Sequence, residues 1–487
     1  MSGFKSLFKQ TFIYGLATVL PRMLSFLLVP LYTDPSVLSS PAEYGEVSII
    51  FSYFVLFNVI LAYGMETAFF RFYNKEANKD KVLGTSTASL VLSSLAFLLL
   101  GLCFQEQIAQ LTDIEVKYIN LVVWILFLDA MVIIPFAWLR ATQKPMRYAI
   151  FKILNVAINL GLNLFFLLIL KDLASQGSVF ETIYKPNFEI SYIFIANLIA
   201  SLVTLLLMLP FYLKVKLKLD KTLLKHMLAY AYPVLIAGVA FSINETFDRI
   251  LLDKLLPANV AATEIGMYSA CYKLALFMTL FSTAFRLGIE PYFFSHAKTE
   301  NPQKNYAKIT EFFVIFGSII LLTVSVFADV IKPFIVRSEA YWEAMWIVPI
   351  ILMANLCLGI YHNLSVWYKI TDKTKFGGYI SVFGAIVTLV LNLALIPIMS
   401  YKGSAIATLA AYGSMMLASY YFGKKYYPIP YNLKKIGFYL MISVVFSVVA
   451  FYTFEDSLSL RFVLLIVFLG IVYALEKKNI KQVLKRN

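Results

Sequence analysis

The stretch from Thr11 to Thr33, TFIYGLATVLPRMLSFLLVPLYT, is apolar throughout except for one charge at its midpoint, Arg22. At about 1.5 Å per residue, a helix of this length crosses a hydrocarbon core of roughly 30 Å. A guanidinium at the membrane centre costs roughly 2.5 to 3.5 kcal/mol on insertion scales, so Arg22 must face a polar interior and meet an anion, a carbonyl array or water. Pro21 and Pro30 remove backbone donors from the same span. This loosens the helix and is tolerated only where neighbours or water satisfy the freed carbonyls. With two prolines, a deep arginine and no small-residue cleavage site, the segment reads as a retained helix rather than a signal peptide. A bending helix with a buried cation predicts a moving part, and the rest of the chain is expected to build the polar interior around it.

The composition fits that expectation. The 487 residues are 60% apolar and 14% charged, with a mean hydropathy of +0.77, which excludes a soluble globular domain and predicts an all-α integral membrane protein. Hydropathy divides the chain into about fourteen spans, 11–33, 45–70, 82–104, 117–139, 148–170, 190–213, 227–252, 262–286, 308–329, 341–363, 376–398, 403–423, 435–454 and 458–475. Lys and Arg gather in alternate loops: Lys75, Lys79 and Lys81; Arg140, Lys144 and Arg147; Lys214 to Lys225; Lys424 to Lys435. The intervening loops are acidic, with Asp34, Glu43 and Glu46, then Glu106, Asp113 and Glu115. By the positive-inside rule both termini are cytoplasmic. The same asymmetry accounts for the net charge of +14, so no nucleic-acid partner is expected. Cys103, Cys271 and Cys357 lie far apart and form neither a disulfide framework nor a metal site.

The two halves repeat one another. At an offset of 229 residues, Trp138, Arg140, Thr142 and Lys144 fall on Trp367, Lys369, Thr371 and Lys373, and Leu162-Asn163-Leu164 falls on Leu391-Asn392-Leu393. Glu43-Tyr44-Gly45 opens the second span as Glu264-Ile265-Gly266 opens the eighth. Six spans separate each matched pair, which predicts two parallel six-helix bundles with a cavity between them, an N-lobe of residues 1–218 and a C-lobe of 219–426. Residues 427–487, with two further spans and a basic tail, stand outside the repeat.

Charges inside the spans are the candidates for chemistry. The cations are Arg22, Arg249, Lys273 and Arg286, with Arg71, Arg140 and Lys152 at inner span ends. The acids are Glu66, Asp129, Glu245, Asp248 and Glu290. Arginine presents a planar fork suited to phosphate oxygens, so these cations suit an anionic substrate. The alternative is internal pairing, for instance of Arg22 with Glu66 or Asp129, or snorkelling at helix ends. Adjacent on a helix, Asp248 and Arg249 point about 100° apart, so one is expected to brace the bundle while the other faces the cavity. Buried Glu66, Asp129 and Asp248 are candidates for binding a coupling proton or Na⁺; no other cofactor is expected. A G-x-x-x-x-G-K-[ST] loop is absent, which argues against ATP hydrolysis by this chain.

Three stretches resemble the polysaccharide-transporter branch of the multidrug/oligosaccharidyl-lipid/polysaccharide exporter superfamily, the O-antigen-type lipid-linked oligosaccharide flippases. They are LPRMLSFLLVPLYTDPSVLSSPAEYG (Leu20 to Gly45), AYGMETAFFRFY (Ala62 to Tyr73) and FDRILLDKLLPANVAATEIGMYSACYKLA (Phe247 to Ala275). The resemblance implies a non-enzymatic, monomeric flippase of the bacterial inner membrane. Its substrate would be an oligosaccharide on a polyprenyl diphosphate, and a polysaccharide polymerase is an implied partner. It also implies that Arg22, Arg71 and Arg249 hold the diphosphate. The competing expectations are a cation-coupled multidrug antiporter of the same superfamily and a membrane glycosyltransferase or ligase.

Overall fold

The computed structural model of the chain describes residues 19–21, 23, 24, 26–176, 179–295, 301–455 and 457–484. Among them there are helices and turns and no strands. Twelve helical stretches are long and apolar enough to cross a membrane, and the protein is a multi-pass membrane protein. Of the two other expected spans, 11–33 lies partly outside the described residues, which do not include its first eight residues or Arg22. The second, Tyr401–Tyr426, has the length at 26 residues, but its glycines, serines, tyrosines and lysines leave it less apolar.

The chain divides into two compact units, residues 1–266 and 267–487. The lobe boundary at 218/219 marks the edge of the duplicated pattern, whereas compactness places the break later. The helix Lys221–Leu255 packs inside the first unit, where its Met227 and Ala231 are buried. That unit contains α1 (Pro41–Ala62), α2 (Met65–Lys75), α3 (Lys79–Cys103), α4 (Val116–Met131), α5 (Ile133–Ala141), α6 (Pro145–Leu164), α7 (Glu189–Tyr212) and α8 (Lys221–Leu255). Helix α9 (Ala258–Tyr272) carries the chain across the break. Pro41 and Pro145 begin α1 and α6, where a missing N–H costs nothing. Asn78 and Asp220 cap α3 and α8 by accepting from Lys81 N at 3.0 Å and Leu223 N at 2.7 Å. The Lys81 ammonium, 2.8 Å from Asp220, is the main cause holding that carboxyl below its ordinary range.

Two breaks in this unit shape its interior. Between α1 and α2 the backbone turns left-handed at Tyr63 (φ 30°) and Gly64 (φ 71°). A Cβ on Gly64 would lie 2.5 Å from the Ala231 carbonyl of α8, so only glycine fits both the angle and the space. Beyond the turn, Met65, Ala68 and Phe69 are fully buried against Val82 and Leu90 of α3 and Met227 and Ala231 of α8. Between α4 and α5, Pro135 has no N–H to give the Met131 carbonyl, its partner in a regular helix. The Tyr212 hydroxyl of α7 donates to that carbonyl instead. Tyr212→Phe therefore strands a half-buried acceptor and is expected to cost about 1 kcal/mol, seen as a lower thermal midpoint of the detergent-solubilised protein. An unchanged midpoint would show that the carbonyl finds another donor.

The second unit contains α10 (Leu276–Ser295), α11 (Pro302–Ile335), α12 (Val348–Leu364), α13 (Val366–Ile370), α14 (Lys375–Met399), α15 (Tyr401–Tyr426), α16 (Leu433–Tyr452) and α17 (Leu458–Leu484). The last two helices are tied to α11 by ions near both of its ends. Lys435 pairs with Glu311 and with Glu476, the latter at 2.6 Å, and Glu476 also accepts from the Tyr439 hydroxyl at 2.7 Å. Arg461, 1% exposed, pairs with Asp329 and donates to the Phe454 carbonyl at 2.8 Å. Charges as deep as Glu476 and Arg461 are tolerated because each is met by more than one partner.

The sequence repeat is visible as repeated local structure. Thr142 and Thr371 each donate a hydroxyl, at 2.8 Å, to the carbonyl of the tryptophan four residues earlier. Gln143 and Asp372 then turn left-handed, at φ 53° and 55°. Asn163 and Asn392 are both fully buried. Asn163 donates to the Asn159 carbonyl at 2.8 Å and accepts from the Tyr32 hydroxyl at 2.8 Å. Asn392 does the same with the Thr388 carbonyl, at 2.7 Å, and the Ser404 hydroxyl, at 2.8 Å. The asparagines of the two LNL motifs are thus interhelical clips.

Candidate functional site

The breaks at Gly64 and Pro135 open onto a cavity of about 690 Å³ lined entirely by first-unit residues. Four charged side chains face it, Glu66 from α2, Asp129 from α4, Arg140 from α5 and Lys152 from α6. Glu66 sits in the first turn of α2 and Arg140 in the last turn of α5, each at the helix end whose dipole favours its sign. The two form an ion pair, with Glu66 41% and Arg140 33% exposed. The Arg140 guanidinium also lies over the Phe70 ring, 4.8 Å from its centroid, and near that of Tyr148 at 5.6 Å. Lys152 stands 4.3 Å from the Phe136 centroid, close enough to feel both the attraction of Asp129 and the repulsion of Arg140. Asp129 accepts from the Ser201 hydroxyl at 2.7 Å.

This first-unit cavity is balanced in formal charge, two cations against two acids. What it offers is a ligand-sized space in which a guanidinium and an ammonium, both backed by aromatic rings, can be approached together. Tyr148, Asn155 and Thr204 add polar groups, Asn155 donating to Thr204 Oγ1 at 2.9 Å. These were missed in the sequence, although Tyr148, Lys152, Asn155 and Asn159 recur at helical spacing and form one polar stripe on α6.

The other candidates fall elsewhere. Arg22 lies outside the described residues. Arg71 is exposed and lies over the Tyr230 ring at 4.2 Å, without lining the cavity. Arg249 and Asp248 do not divide their labour as expected. They pair with each other at 2.9 Å, 9% and 6% exposed, and Arg249 also donates to the Glu245 carbonyl at 3.3 Å. The arginine stem is long enough to fold back across the 100° between neighbours, so Arg249 bonds to residues of its own helix and is not among this cavity's lining. In the second unit, Lys273 opens a single 3₁₀ turn, Lys273–Ala275. Arg286 lines a cavity of only about 20 Å³ with Glu290, His362 and Lys369. There Lys369 pairs with Glu290 at 2.5 Å.

Residues 7–278 match the sequence profile of a family described as polysaccharide biosynthesis protein. No curated relative matches the chain in sequence. Among solved structures, the fold is similar to the lipid II flippase MurJ in an inward closed conformation. That match has a TM-score of 0.74 and 16% identity and covers 96% of this chain and 100% of that one. It is also similar to an inward-facing multidrug resistance MATE family transporter of the MOP superfamily, with a TM-score of 0.61, 12% identity, and coverage of 88% and 96%. A third similar structure is a MOP superfamily transporter from Pyrococcus furiosus with a binding pocket of reversed polarity, at TM-score 0.55, 12% identity, and coverage of 86% and 95%. At these identities the likeness is one of fold.

Proposed function

We propose that this chain, which belongs to the polysaccharide biosynthesis protein family, is a flippase for an oligosaccharide linked to a polyprenyl diphosphate. It carries the head group from the cytoplasmic to the periplasmic leaflet of a bacterial inner membrane, for O-antigen or another surface polysaccharide. The observation that carries this reading is the first-unit cavity, where Arg140 and Lys152 can be approached together by an anion. A diphosphate matches a guanidinium fork and a nearby ammonium, while aromatic faces such as Tyr148 suit sugar rings. The lipid tail can stay in the bilayer, so only the head must cross. In this reading both termini are cytoplasmic, the lobes of residues 1–218 and 219–426 alternate in access, and Arg22 adds a cation along the path. The protein acts as a monomer, catalyses no covalent step and passes its cargo to a polymerase. Pro233 of α8 is a natural point for the helix to bend.

A second reading is favoured by Asp129, an acid facing the same cavity, as in a cation-coupled multidrug antiporter. Reconstitution in liposomes separates the two. The flippase reading expects a fluorescent polyprenyl-diphosphate sugar to become accessible in the opposite leaflet, with no uptake of a cationic dye. Dye transport that disappears in Asp129→Asn, without lipid flipping, would overturn it in favour of the antiporter.

A further inference from the structure

We propose that Glu66 is a built-in stand-in for the substrate's phosphate. It occupies Arg140 while the cavity is empty and is displaced when an anionic head group enters. This rests on the reading of the cavity as a head-group site and adds a residue that sets its affinity.

The pair is built for exchange. Glu66 and Arg140 come from different helices and meet at the cavity wall, 41% and 33% exposed. A carboxylate released there returns to water, so parting costs little. The Asp248–Arg249 pair, at 6% and 9% exposed, is the opposite case, because parting it would leave a charge buried. The guanidinium fork accepts carboxylate and phosphate oxygens in the same bidentate geometry. A diphosphate carries more charge than a single carboxylate and can reach Lys152 in the same space, so it can outcompete Glu66.

The second half of the repeat supplies an internal comparison. Lys369 holds the position of Arg140 in the W-x-[RK]-x-T-x-K motif, and it too pairs with a glutamate from a neighbouring helix, Glu290. The ion pair is present in both copies, but in the first the paired cation is itself a guanidinium fork and stands beside a cavity of about 690 Å³. In the second the paired cation is an ammonium, and the space beside it, which Arg286 also lines, is about 20 Å³, too little for a diphosphate. Lys369 and Glu290 are about as exposed, at 30% and 36%, so what marks the first copy's pair as the exchangeable one is the space beside it.

Titration of the full-length protein in nanodiscs with inorganic pyrophosphate, followed calorimetrically, tests this. Removing the competitor in Glu66→Gln is expected to tighten binding about three- to tenfold. Glu66→Asp, one methylene shorter, is expected to give a smaller gain, and Glu290→Gln none. Geranyl diphosphate is expected to bind at least as tightly as pyrophosphate and to show the same gain. Binding that depends on Arg140 but is unchanged or weakened in both Glu66 variants would overturn the inference and leave the head-group reading standing. A gain seen with pyrophosphate and lost with geranyl diphosphate would overturn the assignment to a lipid head group. Equal gains in the Glu66 and Glu290 variants would show a general charge effect and also overturn it. Failure of pyrophosphate and geranyl diphosphate to bind wild type or Glu66→Gln would remove the head-group reading itself.

Discussion

Arg140→Ala is expected to slow flipping of a fluorescent polyprenyl-diphosphate sugar by about 30- to 150-fold in proteoliposomes, at equal protein incorporation. A charge-assisted, bidentate contact to a phosphate contributes about 2 to 3 kcal/mol, and each 1.4 kcal/mol is a factor of ten. The fold should survive. Glu66 is 41% exposed, so its carboxylate hydrates once its partner is gone, and the loss of stability should stay within about 1 kcal/mol. Arg140→Lys keeps the charge but loses the fork and should fall between wild type and alanine. Full activity of the alanine variant would take Arg140 out of the mechanism, and with it the proposed use of the cavity. A variant that is slow but also misfolded, by loss of its thermal transition, would assign Arg140 to structure.

The sequence carries the architecture because hydropathy and alternating loop charge are properties of long segments, insensitive to individual side chains. Spans such as 82–104 and 376–398 reappear as Lys79–Cys103 and Lys375–Met399, displaced by a few residues. The tryptophan motif also transferred well, since its threonine and left-handed residue act on the backbone within one helical turn. Side-chain partners were less legible. Arg140 was visible as a cation at a span end, but its pairing with Glu66 depends on two helix breaks, at Gly64 and Pro135, that bring separate turns together. Arg249 shows the converse, because adjacency suggested divergent directions whereas a long, flexible stem closed the pair. Tyr148 and Asn155 were hidden by apolar neighbours, and only their helical spacing across Lys152 marks them as one face.

The largest structural effect is expected from the glycines that open the repeated spans. Gly45 on α1 and Gly266 on α9 face each other within the first unit. A Cβ built on Gly45 would lie 1.8 Å from the Ala262 carbonyl oxygen, and one on Gly266 would lie 1.8 Å from the Pro41 carbonyl oxygen. The obstacle in each case is backbone, which cannot rotate aside as a side chain would. Valine at either position must therefore force the two helices apart, at a cost of at least about 3 kcal/mol, near the upper end for overpacking. The effect is expected as a large drop in the thermal midpoint of the solubilised protein. Because the contact is reciprocal, Gly45→Val and Gly266→Val should cost similar amounts, and the double variant less than their sum, since helices already parted by one valine have room for the second. Gly161→Ala on α6 is the control, because its Cβ would meet nothing within 4 Å. That change should be neutral or raise stability by about 0.5 to 1 kcal/mol through helix propensity alone. Losses at Gly45 and Gly266 no larger than the shift at Gly161, or strictly additive losses, would show that α1 and α9 are not in backbone contact at the start of the repeated spans.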